Sequence, residues 1–115
     1  MGSLAIKRVY NDAAPDDGFR ILVDRLWPRG MTKERAQVDL WLKEVAPSTE
    51  LRKWFGHEDE KYDEFRLRYE QELDANPALV ELRQAITEHE RVTLLYGAKN
   101  PHNQAEVLAE YLAGR

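Results

Sequence analysis

The residues best equipped for chemistry lie between Val23 and Gly30, a run that reads Val-Asp-Arg-Leu-Trp-Pro-Arg-Gly. Asp24 brings a carboxylate that can take or give a proton. Arg25 and Arg29 bring planar forks that hold a phosphate or carboxylate in two parallel hydrogen bonds. A second polar set, Lys99, Asn100, His102 and Asn103, follows the apolar run that ends at Tyr96. Arg25, Arg29 and Lys99 together make a candidate anion clamp, with Trp27, Tyr96 and Asn103 as candidate pocket lining. A third segment, Trp54-Phe55-Gly56-His57, sets an imidazole beside two aromatic rings. Imidazole titrates near neutral pH, so His57 joins Asp24 as a candidate acid or base, and Trp54 joins the lining.

Each of these groups also has a plainer reading. Asp24 and Arg25 point to opposite faces if the backbone is extended, and each can pair with a charge on a neighbouring helix. A histidine just past a helix C-terminus interacts with the helix dipole, and Trp54 and Phe55 at helical spacing suit a core. Other chemistries lack their residues. The absence of cysteine removes disulfides, thiolate zinc sites and a cysteine nucleophile. His57, His89 and His102 lack the paired spacing of metal ligands, so no metal is expected. Gly97 stands alone after its apolar run, with no phosphate-cradling or dinucleotide-binding glycine pattern, so no cofactor is expected either.

The elements that must position these residues follow from periodicity and punctuation. Ile6 to Tyr10 is a short β-branched run, and the turn-rich Asn11 to Gly18 separates it from a second strand, Phe19 to Trp27. Pro28 and Gly30 stop that strand. From Thr32, an N-cap residue, the spacing of Val38, Trp41, Leu42 and Val45 predicts a helix that ends at Pro47. Ser48 caps a further helix through Phe55, with Gly56 as its left-handed terminus. Tyr62, Phe65, Tyr69 and Leu73 mark a longer helix broken at Asn76-Pro77, and Leu79, Leu82 and Ile86 mark the next. Arg91 to Tyr96 is a third strand, and Asn103 or His102 caps a last helix carrying Val107, Leu108, Tyr111 and Leu112.

This order predicts a single α/β domain over residues 1–115, with a short, mostly parallel sheet of at least three strands flanked by about five helices in three layers. Residues 1–5 precede the first expected strand and are candidates for disorder or for an expression-derived leader. The second and third strands should be parallel, because a long helical crossover joins them. The connection from Asn11 to Gly18 is shorter than such crossovers usually need, which points to an antiparallel first strand.

Charge narrows the partners. Seventeen Lys and Arg against 21 Asp and Glu give a net charge of −4, which disfavours nucleic acid and anionic membranes as partners of the whole molecule. Arg20 to Arg35 nevertheless carries five positive residues against Asp24 and Glu34, so a local anion site remains consistent with the composition. No apolar stretch approaches the ~20 residues of a membrane span, and the cysteine-free composition fits the cytoplasm. The leading expectation is an enzyme or binding protein for a small anionic ligand, phosphorylated or nucleotide-like, at the strand C-terminal ends. The alternatives are nucleic-acid binding through the basic stretch, with Trp27 or Trp54 stacking on bases, and a protein-interaction module.

One resemblance covers nearly the whole chain. Ile6 to Tyr10, Asp17-Gly18, Val23 to Gly30, Trp41-Leu42, Ala46 to Ser48, Leu51 to His57, and Val92 to Tyr96 with Lys99 closely resemble the YeaO-like branch of the domain-of-unknown-function 488 family. The resemblance implies a compact α/β domain and carries no settled activity. In the broader family a cysteine or histidine is often found near the positions of Tyr96 or Asn103. This chain departs from the pattern there.

Overall fold

A computed structural model describes residues 3–56, 58–100 and 102–114. Four strands form one sheet: β1 (Ser3–Arg8), β2 (Phe19–Leu22), β3 (Leu40–Trp41) and β4 (Arg91–Tyr96). Their order is β1-β4-β2-β3, and every neighbouring pair is parallel. Among the described residues five α-helices accompany them: α1 (Lys33–Ala36), α2 (Thr49–Phe55), α3 (Tyr62–Asp74), α4 (Ala78–Glu88) and α5 (Gln104–Leu112). The expected small α/β domain with a short parallel sheet and about five helices is therefore observed.

Alternation along the strands sends side chains to two cores. Ile21, Val23, Val92 and Leu94 face the larger one, which α2 to α5 close with Leu51, Phe55, Phe65, Tyr69, Leu82 and Leu108. Leu22 and Leu95 point the other way, into a smaller cluster with Val9, Met31 and Ala36. The single turn of α1 and irregular backbone, rather than a full helical layer, cover that second face.

Three local expectations are corrected. The first strand is parallel to β4, not antiparallel, and it starts at Ser3. The short connection returns the chain to the start of β2 with a 3-10 turn in place of a helical crossover. The chain folds back through that turn at Pro15–Asp17 and passes beneath β4, which lies between β1 and β2. Ten residues reach roughly 33 Å when extended, ample for that return.

The helix expected from Thr32 to Pro47 is instead one turn, a strand and a 3-10 turn. Thr32 does cap α1, accepting from the Arg35 N–H, but Gln37 then adopts a left-handed φ of 46° and ends it. The Arg20 guanidinium donates to the carbonyls of Ala36 and Gln37, and Arg20 and Asp39 exchange hydrogen bonds that draw the chain alongside β2. The apolar residues that matched one helix face divide between the two cores: Val38 and Trp41 join the smaller, Leu42 and Val45 the larger. Tertiary partners have overridden a helical spacing.

The second strand ends at Leu22, well short of Trp27. The Val23 N–H still bonds the Leu95 carbonyl. A continuing parallel ladder would next join the Gly97 N–H to the Val23 carbonyl. Asp24 Oδ2 accepts from Gly97 instead, at 2.8 Å, and the chain leaves the sheet.

The remaining helix limits follow from the sequence signals. Ser48 accepts from the Leu51 N–H, Gly56 is left-handed, and Asn103 accepts from the N–H groups of Ala105 and Glu106. No helix among the described residues is long and apolar enough to cross a membrane.

Candidate functional site

At the C-terminal ends of β2 and β4 lies a half-open cleft of about 580 Å³. Such strand ends are where ligands gather in open α/β sheets. Residues 24–29 form one wall, Ala46 and Pro47 with Arg52 of α2 another, and Gly97, Ala98 and Gln104 the third. Phe55 and Phe65 make its floor.

Asp24 ties these walls together. Its Oδ2 accepts from the Gly97 N–H and its Oδ1 from the Gln104 side-chain amide, while its own carbonyl accepts from Trp41 Nε1 at 2.8 Å. A Cβ at Gly97 would stand 3.1 Å from Asp24 Oδ2, so a larger residue there has to displace the carboxyl by a few tenths of an ångström. Burial pushes the Asp24 carboxyl up to about 6, and the Gly97 N–H, the Arg52 charge and the Gln104 amide only partly oppose it. The group is thus poised to change charge within the neutral-to-acid range.

The three arginines of the cleft differ in how fully they are used. Arg25 reaches across it and donates through Nε to the Pro47 carbonyl at 3.3 Å and through Nη2 to the Ala46 carbonyl at 3.1 Å. A guanidinium carries five N–H donors, so Arg25 keeps donors for something else. Arg29 is exposed at the rim, where its carbonyl accepts from Tyr10 Oη at 2.8 Å. Arg52 is the unusual one: its Nε is buried and has no hydrogen-bond partner among the described residues. Buried donors are almost always paired, so this group has capacity that the protein does not itself satisfy.

The sequence-derived candidates divide sharply. Asp24, Arg25, Trp27 and Arg29 come together at the cleft. Trp27 donates through Nε1 to the Met31 carbonyl and meets Trp41 edge-on at 5.5 Å, which fixes the wall it forms. Lys99 is exposed and does not line the cleft. Tyr96 packs against the larger core, and Asn103 is fully buried as the cap of α5. Trp54 lines a separate shallow groove, with the Arg68 guanidinium 4.3 Å from its ring centroid and Lys61 at 5.2 Å. His57 lies outside the described residues.

Arg52 and Gln104 are the polar cleft residues that sequence reasoning missed. Arg52 sits one helical turn before Phe55, whose burial gave the orientation of α2, so the same periodicity turns Arg52 toward the cleft. Gln104 directly follows the Asn103 cap and opens α5 at the strand end. Among the described residues no group of three or more His, Asp or Glu side chains is placed to hold a metal ion.

Residues 3–115 match the family model described as the inactive DUF488-N3 subclade. An uncharacterised protein of Mycobacterium tuberculosis (strain ATCC 25618 / H37Rv) and one of Mycobacterium bovis are each 47% identical over 111 residues, spanning 96% of this chain and 93% of theirs. The uncharacterised protein YeaO of Escherichia coli (strain K12) is 47% identical over 111 residues, 96% of either chain. No solved structure matches the chain. The resemblance read from the Asp24-to-Gly30 and Trp54-to-His57 segments is borne out, and the chain belongs to the inactive DUF488-N3 subclade.

Proposed function

We propose that this protein binds a small anionic molecule, phosphorylated or nucleotide-like, in the cleft at the ends of β2 and β4. The observation that carries the reading is a cleft lined by three arginines against one carboxylate, with Arg25 spending only part of its guanidinium on the Ala46 and Pro47 carbonyls. Arg52 and the spare donors of Arg25 grip the anion, Arg29 adds charge at the rim, and the wall of Trp27 and Pro28 takes the rest of the ligand. This revises the expected clamp by putting Arg52 in the place of Lys99.

Binding without turnover fits this cleft better than catalysis. The subclade is described as inactive, and among the described residues the cleft lining offers no cysteine, serine or histidine as a nucleophile or base. Asp24, the candidate acid or base, has both oxygens engaged by Gly97 and Gln104 and serves as the internal counter-charge of Arg52. The nucleic-acid alternative loses part of its basic stretch. Arg20 is buried against Asp17 and the Ala36 and Gln37 carbonyls, which leaves Arg29, Lys33 and Arg35 as its exposed positive residues. We place the protein in the cytoplasm, where small phosphorylated metabolites are held and where a cysteine-free chain is at home.

A thermal-shift and calorimetric screen of inorganic phosphate, phosphorylated metabolites and nucleoside monophosphates tests the reading. A hit should weaken at least tenfold in Arg52→Met. A hit of undiminished affinity in that variant, or no hit in the whole set, overturns the assignment.

A further inference from the structure

The cleft holds one carboxylate among its arginines, and the position of that carboxylate decides how an anion must enter. The Arg52 charge acts on Asp24, yet the Asp24 oxygens are turned to Gly97 and Gln104. Asp24 therefore acts on Arg52 through space, and the buried Arg52 Nε has no hydrogen-bond partner among the described residues. We infer that an anion bound in this cleft takes over from Asp24 as the counter-charge of Arg52, so that binding is accompanied by uptake of one proton on the Asp24 carboxyl. The inference rests on the anion-binding reading above and specifies its control.

The surroundings of Asp24 support the exchange. Facing it are Arg52 from α2, Arg25 and Arg29 from its own segment, Tyr10 beside Gly97, Tyr69 from α3 with Glu72 beyond, and Gln104 from α5. Neither tyrosine is positioned to compete. Tyr69 is fully buried, donates to the Val45 carbonyl at 2.6 Å and is pushed far above its ordinary range by that burial, and Tyr10 Oη donates to Arg29. Glu72 is held by Ser48 through its N–H and Oγ, at 2.9 and 2.7 Å. Asp24 is thus the carboxylate free to answer an incoming negative charge. Two anions within a few ångströms of one guanidinium repel, and the cheaper outcome is protonation of the more buried one.

Gln104 makes the exchange possible without stranding a donor. With Asp24 ionised, the Gln104 amide donates to Oδ1. With Asp24 protonated, rotation of the amide by half a turn presents its oxygen to the new O–H, while Oδ2 keeps the Gly97 N–H. Burial has already brought the group close to this change.

The test uses sulfate, whose charge is constant across the relevant range, titrated calorimetrically into the full chain at pH 5 to 8. The affinity should fall by about tenfold per pH unit once Asp24 is ionised in the free protein, and measurements in two buffers of different ionisation enthalpy should show close to one proton taken up per sulfate at pH 7.5. Asp24→Asn should bind sulfate at pH 7.5 as tightly as the parent does at pH 5, with no proton uptake. Sulfate binding that needs Arg52 but is independent of pH overturns the inference and leaves the anion cleft standing. If neither the parent nor Asp24→Asn binds sulfate at any pH, the anion reading falls and takes the inference with it.

Discussion

Two clusters of carboxylate and guanidinium flank β2, and they resolve the same chemistry in opposite ways. At its start, Asp17 accepts from Lys7, Arg20 and the Ala14 N–H, and Arg20 spends its other donors on the Ala36 and Gln37 carbonyls. Burial works to raise the Asp17 carboxyl, but those hydrogen bonds outweigh it and hold the group below its usual range. Past the end of β2, Asp24 has only neutral donors, its arginine stands apart, and burial wins. A satisfied cluster is a girder, and an unsatisfied one keeps donors in reserve. What separates them is the count of unused donors, not the residue types.

The contrast can be broken most forcefully at Arg20. Arg20→Met takes one of two cations from Asp17 and the side-chain donors from the Ala36 and Gln37 carbonyls, and should lower stability by about 3 kcal/mol in urea unfolding at pH 7. A loss below 1 kcal/mol would deny that the first cluster is structural.

A smaller effect of characteristic sign is expected at Asp24. Its carboxyl is raised on folding, so the folded state binds the extra proton between its unfolded and folded values. Stability from this group is present at low pH and lost as pH rises through about 6. Asp17 runs the other way: its contribution is present above its unfolded value and lost as pH falls through its lowered folded one. Asp24→Asn should therefore gain about 2 kcal/mol relative to the parent between pH 4 and pH 7.5. Equal pH profiles for the two proteins would refute the raised carboxyl.

The smallest effect is expected at Arg52. Arg52→Met removes an unsatisfied buried donor and also the counter-charge of Asp24, and these terms oppose each other. The change in unfolding free energy should stay within about 1 kcal/mol, against the larger loss at Arg20. Should Arg52→Met prove as damaging as Arg20→Met, the two clusters would be alike and the cleft would lose its distinction.

Much of the fold was legible before the structure. The helices from Ser48 onward announce themselves by caps and by aromatic residues at three- and four-residue spacing, and β4 by its apolar run. The segment from Thr32 to Val45 was not legible, because its path is set by what Arg20 and Asp39 bond across β2, a contact that leaves no local periodicity. The site was half legible for a related reason. Asp24, Arg25, Trp27 and Arg29 are consecutive or nearly so, and a strand end delivers them together. Lys99 follows β4 closely in sequence but does not line the cleft, because nearness to a strand end does not orient a side chain. Arg52 belongs to a helix whose approach to the sheet is a tertiary matter.

The strand order carries a consequence for how the chain reaches this state. β4 is the last strand in sequence, yet it lies between β1 and β2 and gives both their hydrogen-bonded neighbour. During synthesis the first two strands must wait, unpaired with each other, until residues 91–96 have emerged. Pairings so distant in sequence are slow to form, and apolar strands left waiting are exposed to wrong partners. The last strand delivered is thus the one that closes the sheet, and the cleft comes into being in the same event, since Gly97 and Gln104 arrive directly behind it.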